Sequence, residues 1–235
     1  MKTKEDFQNG QLLLIDKPLK WSSFQAVNSI KWGIRKKFNL KKIKVGHAGT
    51  LDPLATGLLL VCTGKFTKKI SELQGMPKEY TGTIVLGAST PSYDLETTID
   101  QTFPIAHITE AMITQTATSF TGEITQTPPL FSALKKEGKR LYTYARKGMD
   151  VTVAPRKITI HEFEVTSINL PNVDFRVVCS KGTYIRSLAH DFGKKLASGG
   201  HLSALKRTKI GDYNVDNAVT PAYFQEKVLG KSPNS

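Results

Sequence analysis

Cysteine is scarce in this sequence, and so are the patterns that hold metal ions. The 235 residues include two cysteines, Cys62 and Cys179, and each stands in an apolar stretch. Neither has the Cys-x-x-Cys partner or the histidine spacing from which zinc sites are built. We therefore expect two buried free thiols, a reducing compartment and no metal site.

Long apolar runs are missing as well. No run approaches the ~18 apolar residues that a membrane-spanning helix needs, and Met1–Asp6 lacks the apolar core of a signal peptide. Internal repeats and low-complexity linkers are also absent, while 39% hydrophobic residues suffice for a core. We expect one cytoplasmic α/β domain over residues 1–235.

Acidic residues are outnumbered. Lys and Arg number 33 against 20 Asp and Glu, a net charge of +13, which favours a polyanionic partner such as nucleic acid. General basicity of a soluble protein is the alternative. The basic residues cluster in two runs: Lys31, Arg35, Lys36, Lys37, Lys41, Lys42 and Lys44, then Lys135, Lys136, Lys139, Arg140, Arg146 and Lys147.

Apolar periodicity predicts alternating strands and helices. A helix capped by Ser22 or Ser23 should bury one face, and another should begin at Thr109. Residues of about 125–153 read as an excursion with a short helix, and about 230–235 as a disordered tail. The face of the first helix is predicted to comprise Phe24, Val27, Ile30, Ile34 and Phe38; a later helix carries Ile185, Leu188, Phe192 and Leu196; strands are predicted at 11–16, 58–62, 80–86, 157–169, 173–180 and 202–210.

The segment Gly46–Gly57 (GHAGTLDPLATG) is predicted to be neither regular helix nor strand. Its three glycines and a proline indicate a tight loop that fixes one side chain. Asp52 is that side chain, and a positioned carboxylate can act as nucleophile or base. The alternative is an Asp that only caps a turn.

A second segment, Lys181–Arg186 (KGTYIR), offers a glycine turn, a hydroxyl cap, a ring and a guanidinium at a helix start. Tyr184 could stack on a flipped base and Arg186 could pair with a carboxylate. The alternative is an ordinary capped helix with Arg186 exposed. His47 and Tyr80 could each contact RNA or only pack in the fold. The glycine spacing of 57–65 is wrong for a phosphate-binding loop, and the motif of zinc nucleobase deaminases is missing.

These motifs resemble, in order, those of the TruB-type tRNA pseudouridine synthases over roughly residues 10–215. The segment 46–57 is similar to the family's catalytic motif almost letter for letter. The other matching segments are LIDKP (14–18) with WSS (21–23), KEY (78–80), PPLFSALK (128–135), LYTYARKG (141–148) and CSKGTYIR (179–186). The Ala88–Thr97 loop keeps Thr90 and Asp94 of the family pattern.

The resemblance implies a pseudouridine synthase fold, an α/β (α+β) architecture with a mixed, largely antiparallel sheet flanked by helices and a thumb-like insertion at about 125–153. It implies that a chain ending at Ser235 lacks the C-terminal PUA domain of bacterial relatives.

The resemblance also implies roles for individual residues. Asp52 would be the nucleophile, ion-paired with Arg186; Tyr80 would pack on the target base; and Tyr184 would line the pocket. Leu205 would add an apolar wall, and His47 would fill space left by displaced nucleotides.

The implied reaction is isomerisation of uridine to pseudouridine at position 55, in the T-loop of tRNA, with the base flipped out and no metal or cofactor. The expected partner is the T-arm of tRNA, contacted by a monomer without an obligatory protein partner or membrane. Two alternatives stay open: a non-catalytic RNA-binding or tRNA-folding module, and a guide-RNA-dependent synthase.

Overall fold

The computed structural model describes residues 2–132, 134–136, 138–145, 148–149 and 151–230. Residues 231–235 of the predicted tail, and Arg146 and Lys147 of the second basic run, lie outside the described residues. The chain divides into two compact units, residues 1–80 with 206–235 and residues 81–205. That division leaves the single-domain expectation a prediction.

The described helices are interspersed among the strands along the chain. The helices are α1 (Lys4–Asn9), α2 (Ser23–Lys37), α3 (Ile70–Gly75), α4 (Glu110–Ser119), α5 (Leu141–Ala145), α6 (Ile185–Lys195) and α7 (Pro221–Tyr223), with 3-10 segments at Gly64–Lys69 and Val215–Asn217 and a π-helical turn at Phe224–Val228. The strands are β1 (Leu12–Lys17), β2 (Val45–His47), β3 (Ala55–Thr63), β4 (Lys78–Leu86), β5 (Ala88–Ser89), β6 (Gln101–Thr102), β7 (Gly122–Gln126), β8 (Lys135–Lys136), β9 (Lys139–Arg140), β10 (Arg156–Asn169), β11 (Asn172–Cys179), β12 (Gly200–Ile210) and β13 (Tyr213–Asn214).

The first unit is built on β3, a strand buried on both faces. Strand order here is β1–β3–β12–β4, and β1 and β2 both pair antiparallel with β3. Because side chains alternate along a strand, Leu59 and Val61 of β3 join one core cluster, while Leu58, Leu60 and Cys62 join another. The predicted strand at 58–62 is confirmed, but it begins earlier, at Ala55.

Helix α2 packs one face on the first cluster. Ser22 caps it, with its side chain accepting from the amide of Gln25 in a capping box. Val27, Ile30 and Ile34 are buried as predicted. The prediction for Phe24 is wrong, because its side chain is 68% exposed. Six residues of helix rotate by about 240°, so Phe24 and Ile30 cannot share a narrow face.

The second unit orders its strands β12–β4–β11–β10–β7. The long β10–β11 hairpin is antiparallel, and it confirms the strand pair predicted at 157–169 and 173–180. Strand β7 pairs with the other edge of β10. Beneath it, aromatic rings pack with centroids 5.6–6.4 Å apart: Phe120, Phe163, Phe175 and Phe192. The predicted fold class, α/β with a largely antiparallel sheet flanked by helices, is confirmed.

Other local predictions divide into confirmed and corrected ones. As expected, Thr109 caps α4, with its side chain accepting a hydrogen bond from the Met112 amide, and both cysteines are buried and outside any disulfide. Thr183 is not a helix cap, because its hydroxyl donates to the carbonyl of Ser180. The segment Gly46–Gly57 is irregular only between β2 and β3.

No helix within the described ranges is long and apolar enough to cross a membrane.

Candidate active site

The loop between β2 and β3 carries Asp52, and backbone hydrogen bonds hold it at both ends. The amide of Ala48 donates to the carbonyl of Leu60 over 2.9 Å, and the amide of Ala55 donates to the carbonyl of Asp52 over 3.1 Å. The Asp52 side chain is half-buried. The loop therefore leaves the carboxylate partly accessible on a backbone held at both ends.

The start of α2 anchors the middle of this loop. The buried Ser23 hydroxyl donates to the carbonyl of Leu51 over 3.0 Å and accepts from the Leu51 amide over 2.8 Å. The amide of Lys20 donates to the carbonyl of Pro53 over 2.8 Å. These bonds hold the residues on both sides of Asp52, whereas Ser23 was predicted only as a possible helix cap.

Arg207, on β12, holds the loop from another direction. Its side chain is 1% exposed, and its guanidinium donates to the carbonyls of Leu58 (2.8 Å), Gly49 (3.1 Å) and Thr50 (3.4 Å). Gly57 permits the close approach of the Arg207 backbone, since a Cβ at position 57 would lie 2.3 Å from the Arg207 carbonyl oxygen. Arg207 was not among the predicted site residues, because nothing in its local sequence marks it as buried.

Lys17, at the end of β1, is a second buried cation in this region. Its ammonium donates to the carbonyls of Trp21 (2.6 Å) and Pro18 (3.0 Å). Burial lowers the pKa of Lys17 to about 8, while the negative charge of Asp52 opposes that shift and the charge of Arg207 adds to it. Since electrostatic interactions are mutual, the Lys17 charge in turn favours the ionised form of Asp52.

His47 and Tyr80, the other predicted site residues of the first unit, lie on strands. His47 ends β2 and is half-buried, and burial lowers its pKa. Tyr80 lies on β4 with 9% of its surface exposed. The surroundings of Tyr80 are therefore those of a ring that packs in the fold. The roles predicted for His47 and Tyr80 toward RNA stay predictions.

Tyr184 occupies the N-cap position of α6 in the second unit. Its amide donates to Gln126 Oε1 over 2.8 Å, and its carbonyl accepts from Gln126 Nε2 over 3.0 Å. The Arg156 guanidinium lies over its ring, 4.8 Å from the centroid. Both the backbone and the ring of Tyr184 are therefore fixed from β7 and β10.

Arg186 is buried, so the alternative of an exposed arginine on this helix is wrong. It is 3% exposed and donates to the carbonyls of Phe131 (2.8 Å) and Ser92 (3.1 Å). Its Nε lies 3.7 Å from a carboxylate oxygen of Asp94, which is 5% exposed. A buried cation needs such partners, because burial removes its hydration. The predicted pairing of Arg186 with Asp52 stays a prediction.

Leu205 is half-buried on β12, and its predicted role as an apolar wall also stays a prediction. Across the part of the chain that the structure describes, no group of three or more His, Cys, Asp or Glu side chains could hold a metal ion.

Comparison with known proteins assigns the chain to a family. Residues 35–185 match the N-terminal domain of the TruB family pseudouridylate synthases, and residues 186–232 match the tRNA pseudouridylate synthase B C-terminal domain. The chain belongs to the TruB family. TruB-family enzymes are pseudouridine synthases, a class of isomerase, and the expectation of such an enzyme is confirmed.

Relatives of the TruB family match over almost the whole chain. A protein of Flavobacterium johnsoniae called tRNA pseudouridine synthase B is 66% identical over 96% of this chain and 99% of its own length. One of Phocaeicola vulgatus with the same name is 52% identical over 94% of each chain.

Solved structures carry the same fold. A chain from the crystal structure of a Cbf5–Nop10–Gar1 complex is 31% identical with a TM-score of 0.70, over 98% of this chain and 60% of that one. A chain from an H/ACA RNP bound to a substrate RNA containing 2′-deoxyuridine is 28% identical with a TM-score of 0.66, and this chain spans 57% of it. The chain therefore spans less than two thirds of these structural neighbours.

Proposed function

We propose that this TruB-family enzyme converts the uridine at position 55, in the T-loop of tRNA, into pseudouridine, with Asp52 as the nucleophile. The observation that carries the proposal is the anchoring of the Asp52 loop by Ser23, Lys20 and Arg207. A backbone fixed from several directions suits a carboxylate that must meet one atom. The names of the bacterial relatives support tRNA as the substrate.

The chemistry is an isomerisation with no net gain or loss of atoms. The N1–C1′ glycosidic bond breaks, the detached uracil turns, C5 bonds to C1′, and the proton on C5 leaves while N1 is protonated. Asp52 opens this sequence by attack on the ribose or the base. The bond that it forms breaks again when C5 displaces the carboxylate from C1′, or when the carboxylate is eliminated from the base, so free Asp52 is regenerated. The Lys17 charge favours an ionised, nucleophilic carboxylate.

The remaining predicted residues would handle the substrate. The uridine leaves its stack, at a cost of a few kcal/mol that stacking on side chains offsets. Tyr80 would pack against the base, Tyr184 would line the pocket, and Leu205 would close it. His47 would fill the space left in the RNA, and Arg186 would pair with the Asp52 carboxylate. We place the reaction in the cytoplasm, on tRNA.

Purified protein and an unmodified tRNA transcript test the proposal. We expect pseudouridine at position 55 from the protein alone, without guide RNA or partner protein. Asp52→Asn should give no detectable product, because an amide cannot act as the nucleophile, whereas Asp212→Asn, at an exposed turn of the same unit, should keep wild-type activity. Wild-type protein without product, product at another position, or an active Asp52→Asn would refute the proposal.

A second measurement identifies the nucleophile. Transcripts carrying 5-fluorouridine at position 55 should form an adduct with the wild-type protein, and mass spectrometry of the digest should find it on the peptide that contains Asp52. An adduct on another peptide would assign the nucleophile elsewhere.

A further inference from the structure

Exposed aromatic rings are concentrated around one helix of the first unit. Among the described residues, the exposed aromatic side chains are Trp21 (36%), Phe24 (68%), Trp32 (56%) and Tyr223 (50%). Phe24 and Trp32 lie on α2, Trp21 directly precedes its cap, and Tyr223 belongs to α7, which packs against α2. Large rings left in water mark contact sites more often than singly scattered apolar residues do.

Basic side chains lie between these rings. Lys31 and Arg35 follow Phe24 by seven and eleven residues and so share its face of the helix. Lys36 Nζ lies 5.2 Å from the centroid of the Trp32 ring. The stretch from Lys17 to Leu51 contains nine Lys and Arg and no Asp or Glu. A partner of this face should therefore be an anion that also offers flat apolar surfaces.

We infer that the exposed face of α2, here called the α2 surface and formed by Phe24, Lys31, Trp32, Arg35 and Lys36, binds an unpaired segment of the substrate RNA. The inference rests on the proposed function and extends its substrate contact. Bases have flat faces that stack on aromatic side chains, and phosphates are attracted by Lys and Arg. Duplex RNA covers its base faces, so the rings favour unpaired nucleotides.

The α2 surface adjoins the Asp52 loop. Ser23, the first residue of the helix, is bonded to both backbone groups of Leu51, and Lys20 to the carbonyl of Pro53. Phe24 and Trp32 are separated by eight residues, about 12 Å along the helix axis. RNA on this face would therefore be continuous with the strand that brings the target uridine to Asp52.

Intrinsic fluorescence gives a direct test, since the chain has only two tryptophans, Trp21 and Trp32. Trp21→Phe leaves Trp32 as the sole tryptophan. We expect saturable quenching of its fluorescence by an unmodified tRNA transcript, with the Kd that anisotropy of a fluorescein-labelled transcript gives. Full RNA binding without any change in Trp32 fluorescence would overturn the inference.

Variants test the contribution of the rings. Phe24→Ser with Trp32→Ser should raise the Kd for tRNA about tenfold or more, as loss of base stacking does. Ile99→Ser, which removes a 54% exposed apolar side chain from the second unit, should change it less than twofold. Thermal melting followed by circular dichroism verifies that both proteins fold. A folded double variant with wild-type Kd would overturn the inference.

The basic residues are tested by salt dependence. Lys31→Gln, Arg35→Gln and Lys36→Gln together should reduce the slope of log Kobs against log salt by up to about 2, about 0.7 for each lost contact. Lys195→Gln removes the matched cation over the ring of Phe120, 5.3 Å from its centroid, and should leave the slope unchanged. An unchanged slope in the triple variant would overturn the inference.

Three outcomes separate this inference from the proposed function. Wild-type protein that makes pseudouridine, with ring variants that bind tRNA normally, would overturn the inference alone. Self-association in sedimentation that the ring variants abolish, with tRNA binding unaffected, would assign the α2 surface to a second copy of the chain and overturn it too. Absence of pseudouridine with wild-type protein would refute the proposed function instead.

Discussion

At the scale of residues, two of the buried cations in the unit that carries Asp52, Lys17 and Arg207, act on Asp52 or on its loop. Arg207 donates to carbonyls on both sides of that residue, at Gly49, Thr50 and Leu58. Backbone carbonyls carry only partial charge, so these bonds fix the loop more than they neutralise the guanidinium. The charge of Lys17 is attracted by the negative charge of Asp52.

We predict that Arg207→Lys lowers the single-turnover rate of pseudouridine formation about ten- to a hundredfold with little change in Kd for tRNA. Lysine keeps the charge but cannot reach all of these carbonyls, so the Asp52 loop should shift. A displacement of a reacting group by about 1 Å can lower a rate about a hundredfold. Arg176→Lys, at a surface pair with Glu162 and Glu164, is the control. A folded Arg207→Lys protein within twofold of wild type would contradict a positioning role.

Lys17 should make stability depend on pH. Its pKa is about 8 in the folded chain against an ordinary 10.5, so between these values the unfolded chain binds more protons. The cost of the buried charge is fully present below pH 8 and is relieved as pH rises towards 10.5. The free energy of unfolding of wild type, relative to Lys17→Met, should therefore rise between pH 8 and 10 by at most about 1.4 kcal/mol per pH unit. Urea titrations of both proteins measure this difference in the free energy of unfolding. A difference that falls as pH rises would contradict the lowered pKa of Lys17.

At the scale of elements, α2 has two roles that the sequence could not separate. Its N-terminal cap and its buried stripe of Val27, Ile30 and Ile34 follow from local spacing and were predicted. Its hydrogen bonds to the Asp52 loop through Ser23 and the exposure of Phe24 depend on what the rest of the chain places around the helix. Apolar identity alone cannot tell a core ring from a binding ring.

The two serines at the start of α2 allow a matched test. Ser22→Ala should destabilise by about 1 kcal/mol through loss of the cap, with activity retained. Ser23→Ala should destabilise by about 1–3 kcal/mol, because it leaves the buried amide and carbonyl of Leu51 unpaired, and should also slow the single-turnover reaction. Denaturant titrations measure the stability of both variants, and single-turnover reactions measure their rates. Loss of activity in Ser22→Ala alone would contradict the prediction.

At the scale of the molecule, charge should govern affinity for RNA. The net charge is +13, and each phosphate contact releases counterions. With three or more contacts, the Kd for tRNA should rise at least about tenfold between 50 and 200 mM salt. Fluorescence anisotropy measures this dependence, and a Kd that is insensitive to salt would contradict an electrostatic contribution.

The sequence by itself determined the family, the six predicted strands, helices α2, α4 and α6, and the irregular turn that carries Asp52, because motifs, caps and apolar periods are encoded within a few neighbouring residues. Only the tertiary structure decided which distant groups support that loop. Arg207 reaches Leu58 and Gly49 across 149 and 158 positions of the chain, and Arg186 meets Asp94 in a buried pair. No local pattern specifies such partners, because hydrogen bonds between buried groups depend on which strands the whole fold brings side by side.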